Sequence, residues 1–202
     1  GQFQVCDPFY KRELRLTLED IAILKTVPGQ SASSLTYDRG IIMDYEIPGL
    51  NTVLITEIVN GNGLGSGNED LLFDNDRYKN VLGEISQPIG NWANIGIMGY
   101  RGKERLNSPA SIYNNNIKIF GPVVNLDFDQ RLMINMQYIK RIDSEVYLMD
   151  TDEFMFNTAT NGAYIEAIYA PKRDMSKWYF TGLLNWIDSD INSLDYKSAT
   201  LN

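Results

Sequence analysis

Period-2 alternation of apolar and polar residues recurs along this chain, while no apolar stripe of helical period runs longer than two turns. Such a pattern makes strands whose two faces meet different surroundings, because successive side chains point to opposite sides of a sheet. From Arg12 to Glu19, Glu13, Arg15, Thr17 and Glu19 alternate with Leu14, Leu16 and Leu18. The division returns at Leu132, Ile134, Met136 and Tyr138 against Asn135 and Gln137. It returns again at Ala163, Ile165, Ala167 and Tyr169 against Tyr164 and Glu166, and at Ala93, Ile95 and Ile97 against Asn94 and Tyr100. The fold class that follows is all-β.

About ten extended segments are expected, near 12–25, 37–47, 51–60, 78–87, 91–102, 116–126, 131–142, 162–170, 177–187 and 195–202. Short connections with turn chemistry follow the second, fourth, sixth and eighth segments: Pro48-Gly49, Pro88-Ile89-Gly90, Asp127-Phe128-Asp129-Gln130, and the stretch around Pro171-Lys172-Arg173-Asp174. The connections at 26–36, 61–77, 103–115 and 143–161 read as long loops rich in Gly, Asn, Ser and acidic residues, and 188–194 is intermediate. Strict alternation of long and short places the long loops at one end of an antiparallel up-and-down meander and the tight turns at the other. Outer-membrane barrels have that asymmetry, with short periplasmic turns and longer external loops. The expectation is a transmembrane β-barrel or a large part of one, a single domain over 1–202 truncated at both ends.

Composition narrows the function. Eighteen Lys plus Arg against 26 Asp plus Glu give a net charge of −8, which repels a nucleic-acid backbone. No apolar run reaches the roughly 18–20 residues of a membrane-spanning helix, but a barrel strand needs only about ten. With no histidine and a single cysteine, Cys6, the chain lacks the central ligand or base of zinc, haem-attachment and Ser/His or Cys/His constellations. No catalytic residue, no enzymatic activity and no cofactor are expected.

If the polar faces turn inward, Glu13, Arg15, Arg39, Glu57, Glu84, Arg101, Arg141 and Glu166 line a water-filled lumen, with mixed signs that argue against a ring of one charge. Tyr138, Tyr169, Trp178 and Trp186 are assigned to aromatic girdles. Trp178 and Trp186 share one face of one segment, and eight residues of tilted strand place them about 21 Å apart along a barrel axis, close to the height of a lipid-facing band. The run Gly61-Asn62-Gly63-Leu64-Gly65-Ser66-Gly67 opens no helix and reads as an external loop rather than a phosphate cradle. Asp74 and Asp76 are placed to hold a divalent cation weakly at the external rim, although they lack the spacing of a calcium-binding helical hand and solvated loop charge is the plainer reading.

Glu57-Ile58-Val59-Asn60-Gly61-Asn62-Gly63, then Asp74-Asn75-Asp76, then Lys79 to Pro88 resemble the phosphate-selective porin family. There a strand ends in an Asn-Gly-x-Gly loop, followed by an Asp/Asn-rich segment and a strand reading Gly-Arg-x-Ser or similar. Ile95-Gly96-Ile97-Met98-Gly99-Tyr100-Arg101-Gly102-Lys103 is similar to that family's next strand, and Thr36 to Gly40 to an upstream one. The similarity covers residues 36–103, and the rest by strand pattern alone. It implies a water-filled antiparallel barrel of about sixteen strands in a bacterial outer membrane, often trimeric, of which this chain is part. Glu84 stands at the position of the motif's arginine, so the lumenal cation ladder that takes up phosphate is not matched.

The function expected is therefore a porin-like outer-membrane channel for passive diffusion of small hydrophilic solutes or ions, with the lipid bilayer as its surroundings and further copies of itself as possible partners. Two alternatives stand beside it: a barrel sheath around a multihaem cytochrome or other partner, and a soluble all-β carbohydrate-binding protein whose Trp92, Trp178 and Trp186 stack on sugars.

Overall fold

The computed structural model describes residues 2–4, 21–61, 77–109 and 111–201. They form one sheet of ten strands, each hydrogen-bonded to the next in sequence: β1 (Gln2–Gln4), β2 (Tyr37–Ile47), β3 (Thr52–Val59), β4 (Asn80–Ile89), β5 (Ala93–Asn107), β6 (Ile112–Phe128), β7 (Leu132–Leu148), β8 (Glu153–Tyr169), β9 (Phe180–Ser189) and β10 (Tyr196–Leu201). Every pairing is antiparallel. The fold is thus an all-β up-and-down meander, and among the described residues the sheet stays open, with β1 and β10 at its edges.

The turns form where turn residues stand. Asp129 and Gln130 both take positive φ, 59° and 56°, between the Phe128 carbonyl and the Arg131 N–H that donates to it at 3.0 Å. Two left-handed central residues make the hairpin turn whose twist suits antiparallel strands.

Two expectations need correction. The segments 103–115 and 143–161 are not long loops. Strand β5 runs on to Asn107 and β6 starts from Ile112, and β7 and β8 run on to a short turn at 149–152. Their Asn, Ser and acidic residues have the composition of loops, yet they pair with one another across the ladder: Glu104 stands opposite Asn115, and Ile117 opposite Asp143. The end of the meander that was to carry loops therefore carries projecting hairpins where β5 meets β6 and β7 meets β8.

The second correction concerns the segment expected at 12–25. Residues 5–20 lie outside the described residues, and Ala22–Lys25 form one helical turn (α1) instead of a strand. Ile23 and Leu24 are adjacent and both buried, which a strand with one wet face cannot provide and a helical turn can. The Thr26 N–H and hydroxyl both donate to the Ala22 carbonyl, at 3.0 and 2.9 Å, and Pro28 and Gly29 turn the chain away.

The segment from Ile21 to Leu35 lies across one face of the sheet, here called the inner face. Ile21, Ile23, Leu24 and Leu35 join a single apolar cluster with Val59, Leu82, Met98, Tyr100, Ile117, Ile139, Tyr164, Leu183 and Ile187. A Cβ on Gly162 would lie 2.5 Å from Ile23 Cδ1, so glycine there admits the segment.

Around that apolar patch the inner face is polar, and the outer face is apolar. One cross-strand row on the inner face reads Asn94, Asn125, Asn135 and Glu166; the adjacent row, pointing outward, reads Ile95, Val124, Met136, Ile165 and Leu184. Ile95, Ile165 and Leu184 are 45%, 44% and 52% exposed, whereas Glu166 is completely buried. This is the inverse of a water-soluble sheet, in which the covered face is the oily one.

Pro122 sits within a central strand, where it has no N–H for the ladder. The recorded pairing of β6 with β7 skips from Phe120↔Lys140 to Val123↔Gln137, and a Cβ on Gly121 would fall 1.8 Å from the Tyr138 carbonyl oxygen. Gly121→Ala must push the two backbones apart, and a loss of about 1–3 kcal/mol is expected in denaturant unfolding; an unchanged midpoint would contradict the close approach.

Candidate functional site: the polar inner face

The strongest polar assembly is centred on β7. Arg141 pairs with Asp143 through Nε to Oδ2 at 2.8 Å and Nη2 to Oδ1 at 2.9 Å, with both side chains almost wholly buried. Two residues apart on one strand, they share a face by the period of two. The remaining guanidinium donors hold the inner segment: Nη1 donates to the Ser33 carbonyl at 2.6 Å and Nη2 to Ser31 Oγ at 2.8 Å. Asn115 Nδ2 bridges Asp143 Oδ1 at 2.7 Å and Glu104 Oε1 at 3.2 Å. The other oxygen of Glu104 accepts from the Ala32 N–H at 3.1 Å and Ser33 Oγ at 3.3 Å.

Ser33 connects this group to the strands on the other side. Its Oγ also donates to the Gly61 carbonyl at 2.7 Å and accepts from Asn80 Nδ2 at 3.3 Å. The same amide meets Tyr100 Oη at 2.7 Å, and Asn80 Oδ1 accepts the Lys103 N–H at 2.8 Å. Asp38 Oδ2 accepts the Gly61 N–H at 2.7 Å. Further along, Asn185 Oδ1 accepts the Ala22 N–H at 3.1 Å and Asn135 Nδ2 donates to Glu166 at 3.2 Å. Beside its apolar contacts, the segment is thereby fixed on the sheet by hydrogen bonds, several of them charge-assisted and so of the stronger kind.

Glu57 and Glu84 present a different arrangement. They occupy the same face of neighbouring strands two rows apart, Glu57 opposite Leu82 and Glu84 opposite Ile55. Glu57 is completely buried and neither of its carboxyl oxygens receives a hydrogen bond.

Of the residues expected to line a lumen, Glu57, Glu84, Arg141 and Glu166 lie buried on the inner face. Arg101 does not. It stands opposite Lys118 and Val81, is exposed, and falls on the outer side with Ile95 and Ile97, whose odd numbers it shares. Arg39 likewise alternates with the inward Asp38 and takes the side of Ile41, Met43 and Tyr45. Charge alone does not fix the face of either arginine; parity along its strand does. Glu13, Arg15, Asp74 and Asp76 lie outside the described residues, and among the described residues no group of three acidic or cysteine side chains is placed to hold a metal.

The mixture of signs expected from the sequence changes accordingly. Among the described residues, the buried inner face carries Asp38, Glu57, Glu84, Glu104, Asp143 and Glu166 against Arg141. Asp38, Ser31, Ser33, Asn80, Tyr100, Glu104, Asn115 and Asp143 were missed as members of the site. Parity would have found the strand residues: Glu104 shares even numbers with Tyr100, and Asp143 shares odd numbers with Gln137 and Arg141.

The aromatic residues expected in girdles take the outer face, whereas Tyr100 and Tyr164 belong to the inner cluster. Tyr138, Ala163 and Trp186 stand in one cross-strand row, and Leu132, Tyr169 and Phe180 in another, with Trp178 5.1 Å from the Phe180 ring and 6.4 Å from that of Tyr169. The Ile165 and Leu184 row lies between them. Beyond the Tyr138 row the outward residues become polar: Lys140, Asn161 and Asp188 in one row, Arg101 and Lys118 in another.

These features define a class by fold alone: an all-β antiparallel meander with a polar covered face and an apolar exposed one. No protein-family model, curated protein or solved structure gives a match to this chain.

Removing the Arg141 guanidinium leaves Asp143 buried without its cation. Arg141→Met is expected to lower unfolding stability by about 3–5 kcal/mol. Glu57→Gln keeps the shape of a buried carboxyl group that receives no hydrogen bond, so its thermal midpoint should equal or exceed that of the parent. A marked loss in Glu57→Gln, read by thermal unfolding beside Arg141→Met, would refute this account of the inner face.

Proposed function

We propose that the chain is a porin-like part of a bacterial outer-membrane barrel that gives small hydrophilic solutes or ions a passive aqueous path. The observation that carries this reading is the pair of adjacent rows, Asn94, Asn125, Asn135 and Glu166 inward and Ile95, Val124, Met136, Ile165 and Leu184 outward. A spanning strand in lipid needs its oily side out and its polar side toward water or protein. The two aromatic rows flanking the outward aliphatic band, and the change to Lys140, Arg101 and Lys118 beyond it, match a lipid-facing belt with its interfaces. The resemblance of residues 36–103 to phosphate-selective porins points the same way, while the acidic inner face disfavours phosphate as the permeant.

One observation favours a second reading, a barrel sheath or plugged barrel. The Ile21–Leu35 segment occupies part of the inner face and is bound to β4, β5, β7 and β9.

Reconstitution separates these readings. Brominated acyl chains should quench Trp178 and Trp186 fluorescence in vesicles, and the folded protein should migrate faster than the heated protein in detergent gels. In planar bilayers the porin reading expects a steady conductance whose reversal potential favours sodium over chloride, as an acidic lining requires. Monodisperse protein without detergent and no lipid quenching would overturn the membrane reading, and quenching without conductance would favour the sheath.

A further inference from the structure

A cavity of about 320 Å³ opens on the inner face at the end of the sheet that carries the Gly90 and Asp129 turns, away from the Arg141 network. Its polar lining includes Asn94, Asn125, Asn135 and Asp127, and Met133 and Trp92 are among the residues that supply apolar surface. The three asparagines are not scattered. Asn94 faces Asn125 and Asn125 faces Asn135 across β5, β6 and β7, so three amides stand side by side at strand spacing. Asn94 Oδ1 is buried without a hydrogen-bond donor, while Asn135 is oriented by its bond to Glu166.

Amides offer donors and acceptors together, and carboxylates offer further acceptors. No Lys or Arg lines the cavity, so it has nothing to pair with a phosphate or carboxylate. A row of amides is a poor host for a purely apolar ligand, which would leave them unpaired. Trp92 is half exposed, and its indole Cδ1 and Nε1 lie 3.3 Å from where a Cβ on Gly90 would be, so the absent side chain leaves the ring its place. Alternating hydroxyls along one edge and a C–H face on the other are what such a set of groups complements, and the volume lies at the lower end of the range for small-molecule sites.

We propose that this cavity is a binding site for a neutral carbohydrate, a mono- or disaccharide, whose hydroxyls bond the Asn94–Asn125–Asn135 row and whose ring lies against Trp92. The inference deepens the channel reading and rests on it for its meaning: the site would choose the solute at the tight-turn mouth of the path.

The test is titration calorimetry of the full chain in detergent with maltose and glucose, with sodium phosphate and adenosine as controls. Saturable binding of at least one sugar is expected, with no saturable heat from phosphate. Asn94→Ala should weaken binding about five- to tenfold, the worth of one hydrogen bond. Trp92→Ala, in an exposed turn, should weaken it by a similar factor with its thermal midpoint retained, which separates loss of the site from loss of the fold. No sugar binding by the parent protein, unchanged affinity in both variants, or tighter binding of adenosine than of either sugar would overturn the proposal. Because the titration needs no bilayer, its failure is distinct from failure of the lipid-quenching and detergent-gel experiments, which test the membrane reading.

Discussion

Register is the constraint on which this molecule depends. Across β5 to β9, each step along a strand exchanges a polar neighbour set for an apolar one, and a slip of one residue would carry Asn135 and Glu166 outward while drawing Met136 and Ile165 in. Both exchanges are costly, because buried charges would lose their partners and the outer surface would lose its uniform character. The pattern therefore specifies pairing without help from long-range connections. The turns reinforce it: the paired left-handed residues Asp129 and Gln130 fix how β6 enters β7.

The polar inner face creates a second problem, since such a surface cannot be covered by hydrophobic burial alone. The segment from Ile21 to Leu35 solves it with both means at once. Its four buried aliphatic side chains fill the apolar patch between the strands, and its backbone and serines satisfy Arg141, Glu104 and Asn80. Buried charge of this kind contributes less net stability than its bond lengths suggest, but it penalises any placement in which a partner is missing. It acts on where the segment sits more than on how tightly it is held.

Much of this architecture is legible in the sequence. The strands from Tyr37 to Leu201 follow from alternation and turn residues, as does the outward direction of Ile165, Trp178 and Trp186. What was not legible shares a cause. Asn114, Asn115 and Ser144 have loop composition, and only the cross-strand partners that sequence does not display keep them extended. Ile23 and Leu24 form a helical turn because both find the same apolar patch, a tertiary circumstance. Arg101 and Arg39 were assigned to the inner face by their charge, where counting residues from Ile97 or Asp38 would have placed them outside.

The strictly sequential order of the strands has a kinetic consequence. From β4 to β10 each strand finds its partner in the stretch just made, so that part of the sheet can grow hairpin by hairpin with little loop entropy to overcome. The bonds from Arg141 to Ser31 and Ser33 span 110 and 108 residues and have no such local route. Segment docking is therefore expected to be the slow, late event of folding, with the polar side of the ribbon open to water until it happens.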